Sequence, residues 1–258
     1  MRIAVLIKQV PDTYGARTVA SATGLVDRIG SEAVVDEIGE RAVEAALVMR
    51  AALPGTTVTA VTMGPERALE ALRKALSMGV DDGVHVVDDG LTGADLTLTA
   101  EVLAAALRTL HADLVLTGNV STDGGGGVLG AMLAEHLGVA HVTNLAAIES
   151  DGFLVRGVRV TDSGSAVVSS SLPAVASVTE AVPDPRFPSF KDIMTARKKP
   201  VETISAAQLG ADLAGVSVAR SIVIAVRERP ARLGGTKVVD DGDGGRKLAE
   251  YLIARNLA

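Results

Sequence analysis

The residues at positions 118–129 have the types and spacing that could bind a phosphate group. Four consecutive glycines at 124–127 follow an apolar run and precede an apolar pattern with helical spacing. Glycines remove the side chains that would keep a ligand away from the backbone, and the N-terminus of the next helix directs unpaired N–H groups at an anion. The order of strand, loop and helix therefore predicts a site for a nucleotide phosphate. A mobile connector is the alternative interpretation, since glycines alone are a weak signal.

Other chemical signatures are missing from the sequence. The four histidines are not spaced like metal ligands, and neither a Gly-x-Ser-x-Gly elbow nor a P-loop occurs. The acidic run at 240–245 lacks the closing glutamate of a calcium loop and is interpreted as a solvated turn. Asp36, Glu37 and Glu40 are interpreted as the cap and the charges of a helix N-terminus. Because no catalytic centre is visible, a binding or carrier role is favoured over an unaided enzyme, and no metal site is expected.

Composition limits the classes of protein further. The 258 residues carry a net charge of -6, no cysteine and only 2% aromatic residues, although 48% are hydrophobic. The negative charge argues against nucleic acid as a partner, and the lack of cysteine excludes disulfides and thiolate metal sites. An aliphatic chain of this size suits one main domain with a parallel α/β sheet. The sequence enters a strand pattern at once and shows no membrane span, so we expect a cytoplasmic protein that is not embedded in a membrane.

The first half of the chain alternates short β-branched runs with longer amphipathic ones, as in successive βαβ units. The predicted strands lie at 3–8, 58–62, 84–87 and 114–117. The predicted helices lie at 36–52, between Pro65 and Gly79, and at 94–110. The parallel sheet is expected to end near the fourth strand. Short runs separated by turn residues then predict antiparallel strands joined by hairpins, at 142–148, 153–160, 166–170 and 174–178.

Two parts of the chain are predicted: an α/β nucleotide-binding domain at 1–200 and a C-terminal arm at 201–258 that packs on a partner. The arm contains an apolar stretch at 216–226 and a helix at 246–256. Before the arm, a segment rich in proline and basic residues carries two of the three phenylalanines, Phe187 and Phe190. This segment is interpreted either as a solvated turn or as a docking surface, because exposed aromatic residues beside basic ones often mark interfaces.

Several separate motifs point to one family. A Lys-Gln-Val-Pro-Asp run at 8–12 follows the first strand, and a glutamate-rich helix start lies at 36–44. A Met-Gly-Pro run at 63–65 leads to Ala-Leu-Ser-Met-Gly at 75–79, and the proline-rich segment reads Asp-Pro-Arg-Phe-Pro-Ser-Phe-Lys from 184 onward. Together with the glycine loop, these motifs make the chain resemble the beta subunit of electron transfer flavoprotein over nearly its full length.

The resemblance implies a fold, partners and cofactors. The fold is an adenine nucleotide alpha hydrolase-like domain with an antiparallel extension and a C-terminal arm. The family's beta subunit forms a heterodimer with an alpha subunit that holds most of the FAD, and it usually binds AMP itself. The heterodimer carries electrons from flavin dehydrogenases, such as the acyl-CoA dehydrogenases of fatty acid β-oxidation, toward a membrane quinone oxidoreductase. The beta subunit has no catalytic site of its own.

The resemblance also implies site residues. For the nucleotide they are Leu6, Asp36, Glu37, Ile38, Gly39, Met63, Gly118, Asn119, Val120, Ser121, Thr122, Asp123, Gly124, Gly125, Gly126, Gly127, Val128 and Leu129. For docking of the dehydrogenase they are Phe187, Phe190, Lys191, Ile193 and Met194, with Phe190 as the apolar anchor.

One departure from the family pattern bears on the ligand. Val128 and Leu129 stand where AMP-binding members commonly carry glutamine and threonine, so a hydroxyl expected on the phosphate is absent. Electron-bifurcating members, which hold a second FAD in this subunit, also carry an aliphatic residue there. A second FAD is therefore the alternative to AMP. A free-standing nucleotide-binding protein of the universal-stress type and a nucleotide-using ligase or hydrolase are the alternatives to the whole interpretation.

Overall fold

The computed structural model describes residues 1–15, 18–209, 221, 223–227, 230, 234–235 and 237–257. Contacts divide the chain into a large unit, Met1–Ile224, and a small unit, Ala225–Ala258. The large unit is an α/β domain built around one mixed sheet. The described part of the small unit contains one helix.

Most strands of the domain are rich in β-branched, leucine and alanine residues. In chain order they are β1 (Arg2–Leu6), β2 (Gln9–Pro11), β3 (Ala33–Val35), β4 (Thr57–Met63), β5 (Asp82–Val86), β6 (Leu114–Gly118), β7 (Ala140–Ser150), β8 (Leu154–Thr161), β9 (Gly164–Ser171), β10 (Ala174–Val178) and β11 (Val201–Ile204). Nine of them form the main sheet in the order β11-β5-β4-β1-β6-β10-β7-β8-β9, and β2 pairs with β3 in a separate antiparallel ribbon. The neighbours from β11 to β7 are parallel, whereas β7, β8 and β9 run antiparallel.

Helices cover both faces of the parallel part of the sheet. The α-helices of the described residues are α1 (Glu37–Ala52), α2 (Leu69–Met78), α3 (Leu96–Leu110), α4 (Leu129–Leu137), α5 (Phe190–Ala196) and, in the small unit, α6 (Gly244–Ala254). Alternate residues of β1 point to opposite faces, so Ile3 and Val5 join the core cluster under α1 and α2, while Ala4 and Leu6 join the one under α3 and α4. None of these described helices is long and apolar enough to cross a membrane.

The hydrophobic core clusters of the described residues contain no phenylalanine, tyrosine or tryptophan. The sequence contains three phenylalanines, two tyrosines and no tryptophan, and all five aromatic side chains are exposed: Tyr14 by 95%, Phe153 by 84%, Phe187 by 94%, Phe190 by 79% and Tyr251 by 47%. Small and branched aliphatic side chains therefore fill the space between sheet and helices, as the composition predicts.

The placement of β10 corrects the predicted strand arrangement. Residues 174–178 do not form an antiparallel hairpin strand, and the parallel sheet does not end near β6. Instead, β10 lies between β6 and β7 and pairs in parallel with both. All five of its residues are buried, which is typical of a parallel strand covered on both faces rather than of a hairpin strand with one wet face. The antiparallel extension is confirmed for β7, β8 and β9 alone.

The sheet also continues past position 200. Strand β11 pairs in parallel with β5, and the contact-based division of the chain falls after Ile224. The predicted apolar stretch at 216–226 lies largely outside the described residues, while the predicted C-terminal helix is present as α6.

Hydrogen exchange tests the central position of β10. We expect the amides of residues 175–178 to be among the slowest to exchange, because opening β10 requires β6 and β7 to separate as well. The comparison is with β3, which pairs only with β2. Exchange of β10 as fast as that of β3, measured by mass spectrometry on the purified protein, would contradict the central placement.

Candidate functional site

The glycine loop, residues 119–128, lies where the strand order reverses. From β1 the chain adds β4 and β5 on one side of the sheet and then returns to place β6 on the other side. In open α/β sheets, ligands bind in the crevice outside the carboxyl ends of the strands at such a switch point. The loop leaves the carboxyl end of β6 at this point and leads into α4.

A close contact brings the first turn of α1 to the start of the loop. A Cβ atom added to Gly118 would lie 1.8 Å from Cγ2 of Ile38 and 3.3 Å from the Ile38 carbonyl carbon. Only glycine therefore allows α1 to approach the end of β6 this closely. Two of the predicted site segments, at 36–39 and at 118–129, meet through this contact.

Asp36 bonds to the loop rather than to its own helix. Asp36 stands at the N-cap position of α1, as predicted, but its side chain makes no capping hydrogen bond there. Instead, Oδ2 of Asp36 accepts a hydrogen bond of 3.0 Å from the backbone N–H of Thr122. Only 3% of Asp36 is exposed. Burial raises the pKa of this carboxyl group above its usual value, although hydrogen bonds from the Thr122 backbone and hydroxyl partly oppose the rise.

The neighbouring Asp123 is held by two cations. Lys8 donates from Nζ to Oδ1 of Asp123 at 2.7 Å, and Arg28 forms an ion pair with Oδ2. The Asp123 side chain is fully buried, whereas the Lys8 and Arg28 side chains are 44% and 36% exposed. Burial alone would raise the pKa of Asp123, but the hydrogen bonds and charges of Lys8 and Arg28 outweigh it and hold the pKa well below its usual range.

Lys8 and Arg28 were not among the predicted site residues. Lys8 lies two residues after the end of β1, at the start of the Lys-Gln-Val-Pro-Asp run, so its position beside the switch point was a signal in the sequence that could have identified it. Arg28 lies 95 residues from Asp123 in a segment without a regular pattern, and nothing in the local sequence indicates its partner.

The loop is organised by its own hydrogen bonds. The N–H of Gly125 donates to the Ser121 carbonyl at 3.0 Å, and the N–H of Gly124 donates to Oδ1 of Asp123 at 2.6 Å. Gly125 and Gly127 have φ values of +64° and +65°, which side-chain-bearing residues rarely adopt. A Cβ atom on Gly126 would lie 2.7 Å from Cδ1 of Leu96. Gly125 and Gly127 therefore allow the positive φ angles of the loop, and Gly126 allows the Leu96 side chain to lie close to the loop backbone.

The N-terminus of α4 faces the end of this loop without a side-chain cap. Val128 occupies the N-cap position and makes no capping hydrogen bond, because its side chain has no acceptor. Val120 and Val128 are 38% and 47% exposed, and the four glycines are exposed as well. An anion at this helix end would meet backbone N–H groups and the positive end of the helix dipole.

The remaining predicted residues of the site have mixed positions. Leu6 and Met63 lie at the carboxyl ends of β1 and β4 and pack into the core cluster under α3 and α4. Glu37 is exposed in the first turn of α1, and Gly39 is buried against Ile7. The backbone N–H of Asn119 donates to the Val178 carbonyl at 2.9 Å, which ties the loop to β10.

The predicted docking residues form an exposed face on and before α5. Phe187 and Phe190 are almost fully exposed, Ile193 and Met194 are 42% and 44% exposed, and Lys191 is exposed beside them. We call these five residues the docking face. A capping box starts the helix, since Ser189 and Asp192 each accept a hydrogen bond from the other's backbone N–H. Four of the five residues of the docking face thus lie on α5, and Phe187 lies three residues before its start.

Comparison with known proteins decides the family. The family model described as "Electron transfer flavoprotein domain" matches residues 23–209. The chain is 47% identical to the electron transfer flavoprotein subunit beta of Mycobacterium leprae over 99% of this chain and 98% of that protein. It is 32% identical to the subunit of the same name from Syntrophomonas wolfei, over 98% and 96% of the two chains, and 30% identical to that of Megasphaera elsdenii over the whole of both. The chain belongs to the electron transfer flavoprotein beta-subunit family.

Family membership confirms the resemblance seen in the sequence and the α/β fold that it implied. It makes the chain a subunit of a flavin-associated electron carrier that pairs with a second, alpha subunit. It also favours this interpretation over a free-standing protein of the universal-stress type.

Replacing Asp36 with asparagine tests the buried carboxylate. The folded state keeps its proton on Asp36 to higher pH than the unfolded chain does, because burial raises the native pKa. Asp36 therefore reduces stability as the pH rises from about 4 toward neutrality. We expect Asp36→Asn, which keeps an acceptor for Thr122, to be as stable as the unchanged protein at pH 4 and more stable at pH 7, measured by urea unfolding.

Asp36→Ala is the control for the hydrogen bond. It leaves the Thr122 N–H without its acceptor and is expected to cost about 1–3 kcal/mol at pH 4. The cost is expected to be smaller at pH 7, because this variant also removes the buried charge. A larger loss of stability for Asp36→Asn at pH 7 than at pH 4 would contradict the assigned direction of the pKa shift.

Proposed function

We propose that this chain is the beta subunit of a cytoplasmic, heterodimeric electron transfer flavoprotein that takes electrons from flavin dehydrogenases, acyl-CoA dehydrogenases among them, and passes them toward a quinone oxidoreductase. The alpha subunit holds most of the FAD, and this chain completes the surroundings of the FAD. The FAD supplies the electron-transfer chemistry when bound. The chain itself contributes binding and docking surfaces and no catalytic residue.

The glycine loop is the observation that carries the nucleotide part of the proposal. Its glycines leave the backbone accessible, and α4 begins beside it without a side-chain cap. Lys8 and Arg28 add two positive charges near the loop, of which Asp123 balances one. Asp36 opposes the other charge, so the support for a nucleotide phosphate comes from the partly exposed side chains of Lys8 and Arg28 and from the uncapped start of α4, not from a net positive charge. We propose AMP as the ligand of this loop.

A second FAD is the other candidate ligand. The aliphatic pair Val128 and Leu129 supplies no hydroxyl to a phosphate at the start of α4. Backbone N–H groups then have to provide the hydrogen bonds, and such groups can bind either the phosphate of a mononucleotide or the pyrophosphate of a dinucleotide.

The docking face supports the proposed contact with dehydrogenases. Its exposed apolar side chains lie beside the exposed basic residues Lys191, Arg197 and Lys198. This combination fits a partner with an apolar pocket surrounded by acidic residues, because an aromatic anchor supplies affinity and complementary charges speed the encounter.

Helix α6 supports the proposed contact with the alpha subunit. Leu248, Tyr251 and Ile253 are exposed by 59%, 47% and 64%. A short helix with several exposed apolar residues gains stability when another protein covers them. We propose that the C-terminal arm packs on the alpha subunit through this helix.

Nucleotide content tests the ligand. The chain is purified from its native host with the proteins it retains, and the nucleotides released on denaturation are quantified. We expect one FAD and one AMP for each pair of subunits. Two FAD and no AMP would show that the ligand is a second flavin instead of AMP. A sample that contains no flavin and no second subunit would overturn the proposed function.

Replacing Phe190 with alanine tests the docking face. A buried aromatic anchor contributes roughly 2 kcal/mol or more at an interface, so we expect the KM of the heterodimer for a reduced acyl-CoA dehydrogenase to rise by about 30-fold. The amounts of bound FAD and AMP are expected to stay unchanged. Phe153→Ala is the matched control, since Phe153 is 84% exposed in the hairpin between β7 and β8. Equal KM values for the two variants would refute docking through Phe190.

A further inference from the structure

The segment that precedes the docking face is bonded to the middle of α1. Glu44 on α1 accepts three hydrogen bonds from Arg186: from the backbone N–H at 3.1 Å, from Nε at 2.8 Å and from Nη2 at 2.8 Å. Arg186 directly precedes Phe187, the first residue of the docking face. The conformation of the backbone at that point is therefore set by a side chain of another element.

The Glu44 carboxylate is buried and charged. Only 8% of Glu44 is exposed. Burial alone would raise its pKa, but the hydrogen bonds and charge of Arg186 outweigh it, and the pKa stays below the usual value. A buried carboxylate that accepts a two-pronged arginine contact has a fixed geometry, and removing Arg186 would leave the Glu44 carboxylate buried without a compensating charge.

Arg41 adds a second bond to the same segment. It lies one turn before Glu44 on α1, on the same side of the helix. Its Nη1 donates to the Val182 carbonyl at 2.7 Å, and its Nη2 forms an ion pair with Asp184. Residues 182–186 are thus attached to α1 at three successive points.

The other end of the docking helix is bonded to α2. Nη1 of Arg73 donates to the carbonyls of Ala196 and Lys199, at 3.0 Å each. The Nζ atom of Lys199 in turn donates to the carbonyls of Leu76 and Val80. The segment before α5 is therefore fixed to α1, and the C-terminal end of α5 is fixed to α2.

These bonds matter because α5 is short. A helix of seven residues is not stable in isolation, since nucleation outweighs the few hydrogen bonds that follow it. Its capping box, the fixed segment before it and the attachment of its C-terminal end keep the docking face in one orientation before a partner arrives. A surface that is already ordered loses less entropy on binding and binds more tightly.

We propose that Glu44 is a positioning residue for dehydrogenase docking: through Arg186 it holds the start of the docking face, and Phe187 and Phe190 with it, in the conformation that binds. The inference rests on the proposed docking of dehydrogenases through that face. By this proposal α1 has two roles: its first turn contacts the glycine loop, and Glu44 positions the docking face.

Glu44→Gln in the purified heterodimer is the first test. Glutamine keeps the shape of the side chain but loses the charge and offers Arg186 only one acceptor. We expect the KM for a reduced acyl-CoA dehydrogenase to rise by roughly tenfold, while kcat and the bound FAD and AMP stay unchanged. Glu40→Gln is the matched control on the same helix, because Glu40 pairs with Lys74 and not with the segment 182–186.

The double variant Glu44→Gln/Phe190→Ala separates positioning from a general loss of stability. If Glu44 acts through the docking face, its substitution adds little once Phe190 is absent, and the two KM effects are less than multiplicative. Full multiplicativity, or equal KM values for Glu44→Gln and Glu40→Gln, would overturn the inference. If Phe190→Ala alone leaves the KM unchanged, the proposed docking fails instead.

A milder substitution keeps the test decisive if Glu44→Gln does not fold. Arg186→Lys retains the positive charge beside Glu44 but loses the two-pronged contact, and Arg186 is 44% exposed, so the change is tolerated more readily. It is expected to raise the KM with kcat unchanged. An unchanged KM for this variant would equally overturn the inference.

Discussion

The contact between Ile38 and Gly118 determines where the first turn of α1 lies, and much of the rest depends on that position. It brings Asp36 within hydrogen-bond distance of Thr122 in the glycine loop. Eight residues further along the same helix, roughly 12 Å away, Glu44 holds Arg186. One rigid element thus supports both the loop proposed to bind a nucleotide and the segment proposed to meet a dehydrogenase. A side chain at position 118 would disturb both.

Two carboxylates in different electrostatic settings fix adjacent residues of the glycine loop. Asp36 accepts a hydrogen bond from Thr122, and Asp123, the next residue of the loop, pairs with Lys8 and Arg28. Asp36 is buried without a cation in hydrogen-bond contact, so its pKa rises, while Asp123 is buried between Lys8 and Arg28, so its pKa falls. The first arrangement costs free energy at neutral pH and the second offsets the cost of burying its carboxylate. Their common effect is a loop fixed by α1 on one side and by the end of β1 on the other. A fixed loop presents its backbone to a ligand with little loss of entropy.

Local sequence patterns predicted much of the fold and the centre of the site. The alternation of strands and helices, and the glycines after β6, follow from periodicity and backbone freedom that are visible within a few residues. The run at 174–178 was misassigned because a short apolar strand looks alike in a hairpin and in the middle of a parallel sheet. The parts that could not be predicted are contacts between distant positions. Arg28 with Asp123 and Glu44 with Arg186 are 95 and 142 residues apart, and only the folded chain brings them together.

The aliphatic core has an optical consequence. The chain has no tryptophan, and both tyrosines and all three phenylalanines lie at the surface. Near-ultraviolet circular dichroism and tyrosine emission therefore report on the surroundings of these surface rings and are almost blind to the packing between sheet and helices. A state that keeps its secondary structure but loses that packing would escape both methods. In this protein the methyl resonances of valine, leucine, isoleucine, alanine and the buried methionines are spectroscopic probes that can observe the core.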